Sequence, residues 1–333
     1  MEMPALISNL YCHRLEVRFY AEENIQMNHW LGAVLRNGFL SMSAEVFDSE
    51  GVSLWEYIQA FPLPIHHPYY LQLKGGFPKG FFFDCSSIDG DGKGFFLKGQ
   101  CVQRITLCLI ADFSKHFSLF IKALVRFFNK GLGSPLVPLH ILDIAEVGIN
   151  GNRNLLYSDT VPVEGILCNP IRWEDMLSMG GVHSSSVYLS FETPVCLYRP
   201  KSKQIGKGYQ DKLNGFPSFY QLIRSAIYRL VTLSMLYTEI DFVIDKKDCE
   251  EWIDNYIYQS SEAFLIQTEL SYCKLYSTPK KEESSVYVLN GYKGRMEYTN
   301  VRADYCAILQ FASYMNVGND INYGLGTFRI DIK

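Results

Sequence analysis

The sequence lacks several signatures that mark common functional classes. Its 31 Lys and Arg residues are outnumbered by 35 Asp and Glu, so the net charge of −4 provides no overall basic field for nucleic acid. Any phosphate-binding surface must therefore be a local patch. The nine cysteines form no C-x-x-C pair and no zinc-ligand spacing, and their scatter through apolar runs is typical of buried thiols in a reducing compartment.

Long apolar runs are missing as well. No stretch of about 18 apolar residues occurs, and the N-terminus has no basic segment followed by an apolar one, so neither a membrane span nor a secretory leader is predicted. We expect a cytoplasmic protein. By contrast, 48% hydrophobic and 20% charged residues describe a folded chain, and 333 residues give room for two domains with separate cores.

The first half of the chain shows alternating strand and helix patterns. Leu15, Val17 and Phe19 alternate with charged residues, which is typical of a half-buried strand, and apolar residues at helical spacing follow. The predicted elements are a strand at 10–20, a helix at 24–42, strands at 69–83 and 95–110, a helix at 114–128 and a strand at 139–147. This β-α-β-β-α-β order is that of ferredoxin-like RNA-recognition modules.

The second half repeats the order. Its predicted elements are a strand at 185–197, a helix at 216–237, an insertion or helix at 242–258, strands at 263–276 and 286–298, a helix at 305–315 and a last strand at 327–330. We therefore predict an α+β fold of two tandem ferredoxin-like (RRM-like, β-α-β-β-α-β) domains. The predicted domains are residues 1–148 and 185–333, joined by a linker or insertion at 149–184.

A glycine-rich stretch precedes the last strand. Gly318, Gly324 and Gly326 fall within nine residues, and glycine lets the backbone turn sharply and present N–H groups to an anion. Glycine-rich turns before last strands are also common, so this stretch alone leaves an ordinary turn as an equal alternative.

Several stretches together resemble a known family. In the second half they are 290–298 (NGYKGRMEY), 315–318 (MNVG), 323–330 (YGLGTFRI), 191–194 (FETP), and 223–224 (IR) with 228–230 (YRL) in the predicted helix. In the first half they are 35–38 (LRNG), 67–69 (HPY) and 130–133 (KGLG). Their order and spacing are similar to those of CRISPR repeat-processing endoribonucleases of the RAMP superfamily, in the branch with a glycine-rich C-terminal domain.

The resemblance implies a metal-independent RNase without a cofactor. Such an enzyme binds CRISPR repeat RNA and cuts precursor transcripts into guide RNAs by attack of a 2′-hydroxyl on the adjacent phosphate, leaving a 2′,3′-cyclic phosphate. The chemistry needs a proton carrier, donors for the charged phosphorane and an in-line geometry. The implied partners are CRISPR repeat RNA and other CRISPR effector subunits, with the chain a monomer or homodimer and no membrane contact.

Histidine is the natural proton carrier near neutral pH, and the chain has seven. The resemblance places the catalytic histidine in or near the first helix, beside the glycine loop, which makes His29 the first candidate. His66 and His67 are the next candidates, although the family's His-Pro at this point is equally a structural corner. Tyr20 is a candidate for orienting the hydroxyl, and His13, on the first strand, is a weaker alternative for the proton carrier.

RNA binding is assigned first to the glycine-rich stretch. The residues predicted to hold repeat phosphates through backbone amides are Gly318, Asn319, Asn322, Gly324 and Gly326. Asp320 departs from the family pattern, because a carboxylate next to phosphate is repulsive unless it points away. The predicted supporting cations are Arg36, Lys203, Lys207, Arg224, Arg229, Lys293 and Arg295.

Two other functions remain open from the sequence. A RAMP-type protein that binds and retains guide RNA without cutting it is favoured by the negative net charge and Asp320. A tandem RNA-recognition module outside CRISPR biology fits the fold, and the second-domain motifs argue against it. The histidines near the first helix favour the endoribonuclease.

Overall fold

The computed structural model describes residues 6–63, 67, 76–88, 94–159, 165–179, 185–197, 217–239, 246–258, 263–276 and 288–333. Its strands are β1 (Tyr11–Ala21), β2 (Ile25–Met27), β3 (Phe81–Asp84), β4 (Phe95–Leu97), β5 (Gln103–Ile110), β6 (Leu139–Val147), β7 (Arg153–Ser158), β8 (Ile171–Arg172), β9 (Ser185–Val195), β10 (Phe264–Tyr276), β11 (Val288–Val301) and β12 (Phe328–Ile332). Its helices are α1 (Leu31–Ser43), α2 (Leu54–Gln59), α3 (Phe117–Lys130), α4 (Trp173–Met179), α5 (Phe219–Tyr237), α6 (Lys246–Tyr258) and α7 (Ala303–Ser313), with 3-10 turns at Ala111–His116 and Ile321–Tyr323.

The first sheet has the strand order β3-β5-β1-β6-β7, and all the pairs along it are antiparallel. Helices α1 and α3 cover one of its faces. Phe39 of α1 stacks on Phe120 of α3 with 5.4 Å between ring centroids, and Phe128 of α3 meets Phe19 of β1 at 5.0 Å. Strands β3, β5, β1 and β6, together with α1 and α3, form the predicted ferredoxin-like unit.

The entry to α1 differs from the prediction. The helix predicted at 24–42 begins at Leu31, because Ile25–Met27 pairs with Phe95–Leu97 as a separate two-stranded ribbon. The same pairing divides the strand predicted at 95–110, and Gln100 between its two parts has a positive φ of 57°. A short strand whose partner lies about 70 residues away in the sequence leaves no periodic signal of its own.

Part of the stretch predicted as a linker pairs with the first sheet. β7 lies beside β6, and Tyr11 and Cys12 of β1 pair with Arg172 and Ile171 of β8. Short strands that add to the edge of an existing sheet need little apolar patterning, since their backbone hydrogen bonds supply the pairing. Strands β7 and β8 of 149–184 therefore extend the first domain's sheet, whereas Trp173 of α4 contacts Phe311 of α7 in the second unit at 5.9 Å between ring centroids.

The second sheet has the order β10-β11-β9-β12, again antiparallel. Helices α5 and α7 pack on one face, where Phe219 of α5 contacts Tyr298 of β11 at 5.1 Å and Tyr305 of α7 at 6.0 Å between ring centroids. This repeats the strand order of the first unit, so the predicted tandem of ferredoxin-like folds is confirmed.

The two units share a buried core. Cys12, Phe82 and Cys108 from the first sheet lie in one apolar cluster with Ile223 of α5 and Phe311 of α7. The second unit's helices thus cover part of the first sheet on the face away from α1 and α3. Among the described helices, none combines the length and apolar composition that a bilayer-spanning segment requires.

Candidate active site

The glycine loop, residues 317–327, is held in shape by a buried asparagine that precedes it. The Asn316 side-chain amide donates to the carbonyl of Leu325 (3.1 Å) and to the hydroxyl of Thr327 (3.0 Å). Asn316 itself adopts a left-handed conformation with φ of 59°, which asparagine tolerates better than most residues. These two hydrogen bonds tie the residue before the loop to the loop's last residues.

The loop's backbone N–H groups are occupied by protein acceptors. Gly318 donates to the Ser225 hydroxyl (3.1 Å) and Asn319 to the Cys196 carbonyl (2.8 Å). Gly324 and Gly326 donate to the carbonyls of Ile321 (2.8 Å) and Pro194 (3.0 Å). An N–H group makes one good hydrogen bond, so the prediction that these four amides hold phosphates is corrected.

The same loop lies directly against the start of α1. The Trp30 indole N–H donates to the Tyr323 carbonyl at 2.6 Å. A Cβ atom added at Gly32 would lie 2.1 Å from that carbonyl oxygen, and one at Gly324 would lie 2.9 Å from the Phe83 carbonyl oxygen. Glycine is needed at both positions because the backbones approach so closely. We call this contact the junction.

His29 lies at the junction. It is half-buried and directly precedes Trp30, the N-cap residue of α1. Its Nδ1 atom is buried and has no hydrogen-bond partner among the described residues. Buried polar atoms are nearly always paired, and this nitrogen is one of seven buried side-chain N or O atoms without a partner among the described residues. It is therefore able to take a partner from a ligand.

The structure describes two of the other three predicted catalytic residues. His66 lies outside the described residues, and His67 is half-buried with its chain neighbours outside them. Tyr20 stacks on His140 at 4.9 Å between ring centroids. Since its neighbour Phe19 faces α3, strand alternation directs Tyr20 to the opposite face of the sheet from α1. The prediction that Tyr20 assists at the first helix is therefore corrected.

His13 belongs to a structural network. Its side chain is 6% exposed, and its Nδ1 lies 2.5 Å from the Glu146 carboxylate. Burial lowers the pKa of His13. Burial alone would raise the pKa of Glu146, but hydrogen bonds from the Cys168 amide and His13 leave it lowered, so a neutral imidazole faces an ionised carboxylate. The pair joins β1 to β6 and to the chain at Cys168.

Arg229, a predicted RNA contact, is buried. Only 7% of the residue is exposed, and its Nε donates to the Met315 carbonyl at the end of α7 (3.4 Å). Burial lowers its pKa to about 10. The guanidinium therefore supports the chain that enters the glycine loop and does not reach solvent, which corrects its assignment to RNA.

The remaining predicted cations fall in three settings. Lys203 and Lys207 lie outside the described residues. Arg224 pairs with Asp254 of α6 at 2.9 Å, while Lys293 and Arg295 are exposed on β11. Arg36 of α1 is the member at the junction, with its guanidinium 4.8 Å from the centre of the Tyr323 ring. Asn322, between these loop contacts, is half-buried.

Comparison with known proteins agrees with the tandem fold. Residues 189–328 match the family model of CRISPR-associated endoribonuclease Cas6. The predicted resemblance is confirmed. A Cas6 product complex superposes with a TM-score of 0.58 at 14% identity, covering 96% of this chain and 100% of that one. A partial Cas6-RT-Cas1–Cas2 complex gives 0.58 at 10% identity, covering 97% of this chain and 46% of that one.

A third solved structure, Cas6 of Thermus thermophilus, gives a TM-score of 0.49 at 11% identity, covering 97% of this chain and 99% of that one. No curated protein matches the chain in a sequence search. The likeness to the first two solved structures shows a shared fold over both domains, while the family match itself lies within the second domain.

Two residues of the junction escaped the sequence analysis. Trp30 reads as one more apolar residue on the α1 stripe, and nothing local indicates that its N–H reaches a carbonyl 293 residues away. Lys79 lies two residues before Phe81, whose ring is 5.5 Å from that of Phe39 on α1. Burial and the charge of Arg36 lower the pKa of Lys79 to about 8. A signal for Lys79 was present, because the sequence contains no Asp or Glu from 57 to 83.

Proposed function

We propose that this protein is a Cas6-type endoribonuclease that binds CRISPR repeat RNA and cuts it without a metal ion. The reaction forms a bond from the 2′-oxygen to phosphorus and breaks the bond from phosphorus to the 5′-oxygen. One proton leaves the 2′-hydroxyl and one reaches the 5′-oxygen, giving a 2′,3′-cyclic phosphate and a 5′-hydroxyl. A positioned imidazole is suited to move either proton.

His29 is the proposed proton carrier. The observation that carries this assignment is its buried, unpartnered Nδ1 beside the Trp30–Tyr323 hydrogen bond. Substrate RNA lying across the junction would supply the missing partner and would contact both domains at once. Two fixed domains around one phosphate also provide the restraint that in-line attack requires.

The test is cleavage of the host's repeat RNA by the purified protein in EDTA. Wild-type protein is expected to yield a product with a 2′,3′-cyclic end, identified by mass spectrometry. His29→Ala is expected to reduce the single-turnover rate about 10²- to 10⁴-fold, the usual contribution of a general acid or base, with RNA affinity changed less than about twofold.

His140→Ala is the matched control. This histidine stacks on Tyr20 and approaches Glu22 at 3.0 Å, on the face of the sheet away from α1, so its loss should leave the rate unchanged. Tight binding of repeat RNA by the wild type with no product in any condition would favour the RNA-retaining alternative. An equal loss of rate in both histidine variants would remove His29 from the mechanism.

A further inference from the structure

Two neighbouring stretches of the first domain carry cations and no carboxylates. Residues 57–83 contain Lys74, Lys79 and two histidines but no Asp or Glu, and residues 24–44, which include α1 and Arg36, contain no acidic residue either. Of the lysines and arginines in these two stretches, the structure describes Arg36 and Lys79. They are notable in a chain where acidic residues outnumber basic ones.

The structure fixes Lys79 in this place. Its Nζ donates to the Ile58 carbonyl at the end of α2 (3.0 Å) and lies 3.9 Å from the centre of the Phe77 ring. Burial and the charge of Arg36 together lower the pKa of Lys79 to about 8. Phe81, two residues further on, contacts Phe39 of α1 with 5.5 Å between ring centroids. The ammonium is thus half-buried, anchored on one side, and part of a chain segment that packs against the helix carrying Arg36.

Neither cation has a carboxylate within 4 Å in the described part of the chain. Arg36 uses one donor on the Asn37 side-chain oxygen (3.1 Å) and rests on the Tyr323 ring. An ammonium has three donors and a guanidinium five, so most of their hydrogen-bonding capacity remains available. Two like charges held together at a partly buried site are unfavourable unless an anion joins them.

The inter-domain cleft shows the opposite arrangement. This cavity of about 470 Å³ contains Arg14, Arg104 and Arg329. Each has an acidic partner within ion-pair distance, namely Asp84 at 3.5 Å, Glu16 at 3.9 Å and Glu192 at 3.8 Å. All three arginines of the cleft face a carboxylate, although the buried Arg14 Nε has no hydrogen-bond partner among the described residues. Arg36 and Lys79 face no carboxylate in that part of the chain, and on this charge difference they are the better site for a phosphate.

We propose that Lys79 and Arg36 form a phosphodiester-binding site on the first domain's side of the junction, where the Tyr323 ring of the glycine loop packs against the Arg36 guanidinium. This proposal rests on the proposed function, because the phosphodiester at the site is part of the bound RNA. Arg36 offers a planar fork and Lys79 a compact charge, which together reach the two free oxygens of one phosphate or adjacent phosphates of a strand.

The test uses 2′-O-methyl repeat RNA, which cannot be cut, and measures binding by fluorescence anisotropy over a range of salt. Lys79→Met is expected to weaken binding about ten-fold near 0.1 M salt, a typical loss for one hydrogen bond to a charged group. It should also flatten the slope of log affinity against log salt by about 0.7, the value for one phosphate contact on a single strand.

The matched control is Lys247→Met on α6, a lysine with an 82% exposed side chain that pairs with Glu251 at 3.6 Å. A second readout is pH. Wild-type affinity is expected to fall between pH 7 and pH 9 as Lys79 loses its proton, whereas Lys79→Arg keeps its charge and should remove that fall. Besides burial, the charge of Arg36 lowers the pKa of Lys79.

The outcomes separate the two proposals. If wild-type protein neither binds nor cuts repeat RNA, the proposed function fails. If wild-type protein binds and cuts but Lys79→Met keeps the affinity and salt slope of Lys247→Met, only the phosphate site is overturned. Thermal melting of each variant checks folding, and Lys79→Arg keeps the test valid if Lys79→Met is unstable.

Discussion

The two sides of the junction differ in how many hydrogen-bond donors and charges remain available to a ligand. On the second domain's side, the amides of Gly318, Asn319, Gly324 and Gly326 are used to hold the loop together. On the first domain's side, Arg36 and Lys79 carry charge without a nearby carboxylate among the described residues. Glycine in this loop thus permits close contact between domains, and the cations across from it are the part suited to RNA.

The strongest test of that comparison is to force the two sides apart. Gly32→Ala places a methyl group 2.1 Å from the Tyr323 carbonyl oxygen, although alanine is normally favoured in a helix by about 1 kcal/mol. We expect a loss of about 1–3 kcal/mol, typical of overpacking, measured as a lower urea midpoint. RNA cleavage should fall with it, because the junction no longer closes.

Gly38→Ala is the control from the same helix. Its added methyl group would lie 2.1 Å from the Phe127 ring, which is inside the first domain and away from the junction. A similar loss of stability with normal cleavage is expected for this variant. If Gly32→Ala leaves both the urea midpoint and the cleavage rate at wild-type values, the close contact between loop and α1 plays no part in function.

A smaller effect is expected at Arg229, which lies on the loop's side but is buried. Arg229→Met keeps most of the side-chain volume and removes a buried cation that has no carboxylate partner among the described residues. Removing a buried charge relieves its desolvation cost, which offsets the long hydrogen bond lost at the Met315 carbonyl. We therefore expect RNA affinity within about twofold of wild type and a urea midpoint close to that of wild type.

The comparison is Arg36→Met, which removes a cation from the first domain's side and should weaken RNA binding by about the same factor as Lys79→Met. A larger loss of affinity for Arg229→Met than for Arg36→Met would mean that the buried arginine reaches RNA after all, and would reverse the contrast between the two sides.

The regular elements were predictable because their patterns are local. Alternation along Leu15, Val17 and Phe19 identified β1, and apolar spacing identified α3 and α5 to within a few residues. The β2–β4 ribbon was missed because three-residue strands become strands only through pairing with a distant partner. The same holds for β7 and β8, which complete an existing sheet.

The candidate site was only partly predictable, since side-chain roles depend on three-dimensional neighbours. His29 was predicted from the family resemblance and its place at the first helix, and it lies next to Trp30 at the junction. Arg229 was misassigned because α5 is buried on more than one side, so a cation in its sequence need not reach solvent. Lys79 belongs to no motif, and the absence of Asp and Glu around it gives no role by itself; the role proposed for it depends on its contact with Ile58 and the packing of its chain segment on α1.

The central claim is that RNA crosses the junction on the first domain's side, and cross-linking tests it most directly. Repeat RNA carrying 4-thiouridine, bound to wild-type protein and irradiated, is analysed by mass spectrometry of the cross-linked peptides. The account predicts cross-links to peptides containing 29–36 and 77–79. Cross-links confined to the open face of the second sheet, around Arg295 and Glu297, would contradict it.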